Sequence, residues 1–392
     1  MRIAFFLGRI HHAHKLLGVA SALKQNGAEI DIVVSDNSVN IDPSTEYLHM
    51  FGIDTFYHTK DYIDEDSIAA INNATGAGWI NDEGVLKYFP PFWILSSYRE
   101  AMECIVGFEG YLNAQKPDAV FALHENNFWV RILFYLAQKK GITTYSLQEG
   151  IILKREEEIL KKYSTGTEYT DILFSWSERD KGFYSDTARI VPVGPSHMDQ
   201  WVGLSRNKEA RDNFKTAFRE SIGMPGKKLV VFAPPRLDLF AGDFKKTTIA
   251  LAKLTMNRGM GLIIKLHPFQ NGVDTVKEMV EQYGHVKVAD DSDSLQFIMT
   301  ADVLVTQTST VAIEAAILGV PVVELDMDYI GLDQTINQHG GATLIEGDNI
   351  NGIMHAMDDD TGKEFVDWYF PLADGKSTER IVDYVMAGLW AK

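Results

Sequence analysis

The sequence predicts an α/β protein built from two Rossmann-like, doubly wound domains that face a central cleft. Short apolar runs of strand length alternate with longer stretches of helical period. Several of those runs are apolar at nearly every position, as in Ile30, Ile32, Val33 and Val34 or Val120, Phe121, Ala122 and Leu123. Strands that read this way are buried on both faces, which is the signature of a parallel sheet covered by helices. The strand–helix alternation also restarts after residue 227, so one architecture is used twice.

In the first half the strands are expected over residues 2–7, 29–35, 119–124, 143–148, 172–175 and 190–193. Helical periodicity over 16–25 (Leu16, Leu17, Ala20, Leu23) and 129–139 (Ile132, Leu133, Leu136) supplies crossovers. In the second half strands fall at 228–233, 261–266, 286–289, 302–306 and 320–325, with helices at 247–256, 275–283, 295–300 and 309–318. The charged, apolar-poor stretch 204–227, which contains Gly223-Met224-Pro225-Gly226, reads as a linker. This divides the chain into an N-terminal domain over 1–203, a second domain over 228–375 and a final helix over 376–392. That helix carries Ile381, Tyr384, Val385 and Leu389 on one face and is expected to pack back on the body.

Composition narrows the function classes. With 37 Lys+Arg against 54 Asp+Glu, the 392-residue chain carries a formal charge of −17, which argues against sequence-independent nucleic-acid binding. One cysteine, Cys104, allows neither an intramolecular disulfide nor a thiolate zinc cage. The apolar start Ile3–Leu7 is too short for a signal peptide and runs at once into Arg9, His11 and His12. No window approaches the ~20 apolar residues of a membrane span, so a cytoplasmic protein is expected, with peripheral membrane contact and oligomeric state left open.

Open α/β sheets bind ligands at the carboxyl ends of their strands, so the residues after each strand are the candidates. His267 and Pro268 follow the strand at 261–266, with Lys265 leaving the same sheet face as His267. Thr308, Ser309 and Thr310 precede a helix, where backbone N–H groups, the helix dipole and hydroxyls converge on an anion. Capping needs one such residue, not three. Glu314 lies one turn further, either facing a ribose or solvated. Arg236 follows Ala233-Pro234-Pro235. In the first half, Gln148-Glu149-Gly150 places Glu149 at a strand end, as a general base or a turn acid. His124 and Glu125 occupy the equivalent point of the preceding strand, and Gly8 and Arg9 that of the first.

These motifs resemble those of GT-B enzymes. Gln148-Glu149-Gly150, His267-Pro268 and Ser309-Thr310 are similar to three short motifs of bacterial CMP-sugar (sialyltransferase-like) and CDP-glycerol transferases. Asp374-Gly375-Lys376-Ser377-Thr378-Glu379-Arg380-Ile381 looks like a C-terminal signature shared by the UDP-N-acetylglucosamine 2-epimerase superfamily and polysaccharide-building transferases. The resemblance implies a metal-independent, inverting glycosyltransferase with no cofactor beyond its donor. A CMP-activated acidic sugar, sialic acid-like or Kdo-like, is preferred as that donor, with a UDP-sugar as the other choice, and the acceptor is a glycan. Glu149 would take the acceptor proton, and His267 would stabilise the departing CMP. Lys265, Thr308, Ser309, Thr310, Glu314 and Arg236 would hold the donor, while Gly8, Arg9, His124 and Glu125 would lie on the acceptor side. Gln148 departs from the transferases' acidic pair, and His124 or Glu125 could substitute as base. The alternative is a non-hydrolysing UDP-N-acetylglucosamine 2-epimerase-like enzyme, or a CDP-glycerol-type polyol-phosphate transferase. Against the epimerase stand Gly8-Arg9-Ile10-His11, in place of a Thr-Arg-Pro-acid loop, and Thr308-Ser309-Thr310, in place of Ser-Gly-Gly before a run of acids.

Overall fold

The computed structural model describes residues 1–8, 10–34, 51–53, 55–76, 91–123, 125, 128–150, 167–184, 186–235, 242–267, 272–289, 293–307, 309–326, 335–346, 350–357 and 362–390. These residues form two parallel sheets. The first contains β1 (Arg2–Leu7), β2 (Glu29–Val34), β3 (Phe56–His58), β4 (Ala119–Leu123), β5 (Thr143–Leu147), β6 (Ile172–Ser175) and β7 (Arg189–Pro192) in the order β3-β2-β1-β4-β5-β6-β7. The second contains β8 (Leu229–Ala233), β9 (Gly261–Lys265), β10 (Val286–Ala289), β11 (Val303–Thr306), β12 (Val322–Asp326) and β13 (Thr343–Glu346) in the order β10-β9-β8-β11-β12-β13. In each sheet the order reverses beside the first strand, between β1 and β4 and between β8 and β11. Those reversals are the switch points where ligands of open sheets bind.

The chain divides into two compact units: one of Met1–Glu149, Ile159–His197 and Ser377–Lys392, the other of Gly150–Glu158 and Met198–Lys376. The first unit's core joins Phe5, Phe121, Tyr145 and Phe174 of the sheet to Leu16, Leu17 and Ala20 of helix Ile10–Gln25. Phe121 stacks on Phe5 and Tyr145 with ring centroids 4.8 and 4.7 Å apart. The second unit packs Phe232, Ile264, Val305 and Val323 of its sheet against Leu251 and Ala252 of helix Phe244–Asn257. Cys104 is buried.

Helix Ser377–Trp390 belongs to the first unit although the stretch directly before it, Met198–Lys376, belongs to the second. Ile381 and Val385 are fully buried in the first unit's core, each contributing roughly 1.5–3 kcal/mol. Arg380 donates to the Val193 carbonyl at 3.1 Å. The side chain of Leu389 lies outside the described residues. Just upstream, Arg206 donates to the Asp374 carbonyl at 2.7 Å, and Gly375 takes φ +86°, where a side chain would be strained. The C-terminal signature is therefore a structural joint, its first half fixed within one unit and its second half within the other.

The stretch 204–227 is not a linker. Helices Asp199–Arg206 and Lys208–Ser221 run through it within the second unit, and the Asn207 side chain accepts from Ala210 N at 3.1 Å to start the latter. Its few apolar residues are aromatic and well placed. Phe214 meets Trp201 at 5.6 Å, and Phe218 meets Phe297 at 5.3 Å, both edge-on. Arg219 donates to the Thr300 carbonyl and pairs with Asp302 at 2.8 Å. Low apolar content concealed a helix anchored by two rings and one ion pair. Strands β3 and β13, also unforeseen, are short edge strands of three and four residues.

Candidate active site

At the strand ends of the first unit, helix Ile10–Gln25 starts immediately after β1 and places His12 and Lys15 three residues apart, on neighbouring positions of one face. The Gly8 N–H donates to buried His12 Nδ1 at 3.2 Å. This makes Nδ1 the acceptor, so the neutral ring carries its proton on Nε2. Lys15 Nζ donates to the Glu149 carbonyl and lies 5.6 Å from the Trp176 ring centroid. Trp176 is in turn gripped by Gln148. Its backbone N–H donates to Gln148 Oε1 at 2.8 Å, its indole N–H to the Gln148 carbonyl at 3.1 Å, and the His197 ring lies tilted against it with centroids 5.4 Å apart.

Gln148 thus has a structural task. It sits buried where the transferase motif has its first acid, and its amide oxygen meets the Trp176 N–H without burying a charge. Glu149 follows it, half-buried. Glu125 departs from its expected place on the acceptor side, because its carboxylate is fully buried. Oε2 accepts from the Tyr169 N–H and the Thr170 hydroxyl, both at 2.8 Å, and holds that segment against the unit. Burial raises its pKa above the usual carboxylate range, while the Tyr169 and Thr170 bonds and the Arg131 charge pull the other way. A group so enclosed is a poor substitute base.

In the second unit, Thr306 at the end of β11 donates to the Ala233 carbonyl at 2.6 Å, joining the two strands at the switch point. Ser309 then occupies the N-cap of helix Thr310–Ile317 with extended backbone angles (φ −148°, ψ 148°), and its hydroxyl makes no capping bond. That hydroxyl is thereby left available to a ligand, together with the positive end of the helix. A Cβ on Gly150 would lie 2.7 Å from Thr310 Oγ1, so only glycine permits this close approach. Glu314 is buried at 5% exposure, which removes the reading of a solvated first-turn charge. His267 is half-buried at the end of β9. Lys265 is buried, with Nζ turned back onto the Leu266 carbonyl at 2.7 Å.

Arg9, His124, Thr308, Arg236 and Pro268 lie outside the described residues. Among the described residues no group of three or more His, Cys, Asp or Glu could hold a metal ion, and no helix is long and apolar enough to cross a membrane.

Sequence reasoning missed His12, Lys15, Trp176, His197 and Glu324. The first two were legible as polar residues at the opening of a helix after β1. Trp176 follows β6 directly, at a strand end like the other candidates. Glu324 lies mid-strand in β12, paired in register with Thr306 and fully buried. Burial pushes its carboxyl up to about 7, with nearby Asn337 pulling the other way. One acid inside an apolar strand offers no periodicity signal.

The model of the UDP-N-acetylglucosamine 2-epimerase family matches residues 180–386, slightly more than half of the chain. The chain belongs to this family. No curated protein matches it in sequence. Among solved structures it is similar to the UDP-GlcNAc 2-epimerase of Neisseria meningitidis bound to UDP-GlcNAc, with TM-score 0.67, 13% identity and coverage of 99% of this chain and 100% of that one. The wall teichoic acid polymerase TagF, solved with CDPG, gives TM-score 0.59 at 14% identity, covering 100% and 89%. MurG of Acinetobacter baumannii gives 0.51 at 12%, covering 98% and 99%. At these identities the likenesses establish the two-domain GT-B fold, as the sequence predicted. Family membership supports an enzyme of nucleotide-sugar chemistry and favours the epimerase alternative over the transferase that the short motifs suggested.

Proposed function

We propose that this member of the epimerase family inverts carbon 2 of a UDP-linked N-acetylamino sugar. The observation that carries this reading is the family match, which spans the whole hydroxyl-bearing helix start of the second unit. In this reading Ser309, Thr310 and the helix N-terminus take the diphosphate, His267 donates to a phosphate oxygen, and Glu314 accepts from the ribose hydroxyls. Inverting carbon 2 requires a base to remove its proton on one face while the anomeric C–O bond to UDP breaks, leaving a C1–C2 double bond. An acid then returns a proton on the other face as UDP adds back to carbon 1. Glu149, His12 and Lys15 of the first unit are the groups assigned to that work. Glu149 is the base, and the Nε2 proton of His12, set by its Gly8 bond, is the acid. No CMP-sugar donor is needed in this reading.

The test is incubation of the protein with UDP-N-acetylglucosamine in D2O, followed by proton NMR. Loss of the carbon-2 proton signal with appearance of the manno epimer supports the reading. Retention of that proton after complete conversion to any product defeats it.

A second reading, glycosyl transfer, is favoured by one observation. Gln148 supplies an amide gripping Trp176 at a position flanking Glu149, so the first unit offers one strand-end carboxylate there, as one-base transfer requires. Under this reading the carbon-2 proton stays, and nucleotide is released from a UDP- or CMP-sugar only when a glycan acceptor is added.

A further inference from the structure

The first unit contains a cavity of about 830 Å³ that the proposed chemistry does not use. It opens at the amino-terminal ends of the strands, lined by Thr143 and Tyr145 of β5, Ile172 of β6, Arg189 of β7, and Tyr384, Ala387 and Gly388 of the final helix. At roughly 3.3 Å per residue, about 20 Å of β5 separates residue 143 from Glu149, so the cavity is not part of the strand-end site.

Its polar lining is unusual in what it leaves unused. The Tyr145 ring is buried in a stack with Phe121 and Phe174, while its hydroxyl reaches the cavity and makes no hydrogen bond among the described residues. Gly388 faces it, and a Cβ there would stand 3.9 Å from the hydroxyl oxygen. Burial, reinforced by Tyr384 and Asp171, pushes the phenol up to about 12, so it remains a donor at neutral pH. Arg189 is an exposed residue at the start of β7; its guanidinium lies over the Tyr384 ring at 5.3 Å and has no carboxylate partner among the described residues. The one acid in the lining, Asp171, is already committed: Oδ1 accepts from Gln138 at 3.1 Å, and Oδ2 from the Thr144 N–H at 2.9 Å and hydroxyl at 3.1 Å.

The uncommitted polar groups are therefore a planar cation and two phenols, set among Ile142, Ile172, Ala387 and aromatic faces. We propose that this cavity is a second ligand site, which binds a ring-sized organic anion through a carboxylate or phosphate on an apolar body. Arg189 meets the anionic oxygens bidentately, Tyr145 donates from the floor, and the apolar lining takes the ring. The volume lies within the range of small-molecule pockets.

The test uses calorimetric titration of the full chain, saturated with UDP, against phenyl phosphate and 4-hydroxybenzoate as probes. Inorganic phosphate stands for the head alone and 4-methylphenol for the body alone. We expect one-to-one binding of at least one ring anion, with head and body alone at least tenfold weaker. Arg189→Ala and Gly388→Leu should each weaken it at least tenfold while leaving UDP affinity unchanged. If Gly388→Leu does not fold, Tyr145→Phe, which deletes one oxygen, should still cost about fivefold. The proposal is overturned if no ring anion binds at millimolar concentration, if UDP abolishes the binding, or if these variants leave it intact. Failure of carbon-2 inversion would leave these outcomes unaffected.

Discussion

The two sheets share one wiring and differ in what they place at their strand ends. In the first unit those ends are crowded and internally bonded: Gln148 grips Trp176 at two points, Trp176 carries Lys15 and His197 on its ring, and Lys15 reaches the Glu149 carbonyl. In the second unit the corresponding place is a helix start whose capping hydroxyl is uncommitted and whose approach from Gly150 is bare backbone. A packed, aromatic, titratable set suits proton movement, which needs fixed distances and tuned groups. An N-terminal cradle of hydroxyls and amides suits an anion, which needs donors not already used. The same fold therefore supports two kinds of chemistry, because side chains rather than topology assign the role.

This contrast can be broken, beginning with the largest effect. Glu149→Gln should lower turnover by about a hundredfold or more while changing UDP affinity less than twofold, a split measured by steady-state kinetics and titration. Equal losses in both would erase the division of labour. Next, Glu324 gives the second unit a pH signature. Its carboxyl is raised to about 7 in the fold from 4.5, so the folded chain holds a proton that the unfolded chain has released. Its contribution to stability is therefore full below the unfolded value, lost as pH rises from roughly 4.5 to 7, and flat above that. Glu324→Gln should flatten this slope and raise stability at pH 8 by a few kcal/mol, read by denaturant melts at pH 5 and pH 8. No change in slope would mean that the buried acid is ionised throughout.

Gln148→Ala should destabilise the protein by about 1–3 kcal/mol, because it strands the buried Trp176 backbone N–H, and should shift the Trp176 emission. An unchanged melt would deny the clamp. The smallest effect is expected at Ser309. Its replacement by alanine should weaken UDP binding by about 1 kcal/mol and leave the melting temperature in place, since it makes no capping bond. A loss of stability without a loss of affinity would return Ser309 to ordinary capping.

The alternation of buried runs and helical periods was enough to predict two parallel sheets, because strands covered on both faces must be apolar throughout. The helix start at Ser309 and Thr310 and the strand-end position of Glu149 were legible for the same reason: strand ends are fixed by the pattern itself. The run 204–227 was misread, since its helix depends on Trp201, Phe297 and Asp302, which are either outside the run or far along the chain. Glu125 was misassigned because only long-range contact with Tyr169 and Thr170 shows that its carboxylate turns inward.

The sequence alone determined the fold class, the number of sheets and which loops lie at their carboxyl ends, all local consequences of period and apolar runs. Tertiary structure decided which polar groups are already bonded and which remain uncommitted. Gln148 against Trp176, Ser309 without its cap bond, Glu324 inside the sheet and Tyr145 open to a cavity are distinguished only by partners brought together from distant sequence. Hydrogen bonds and desolvation act through space, and residue spacing along the chain carries no record of them.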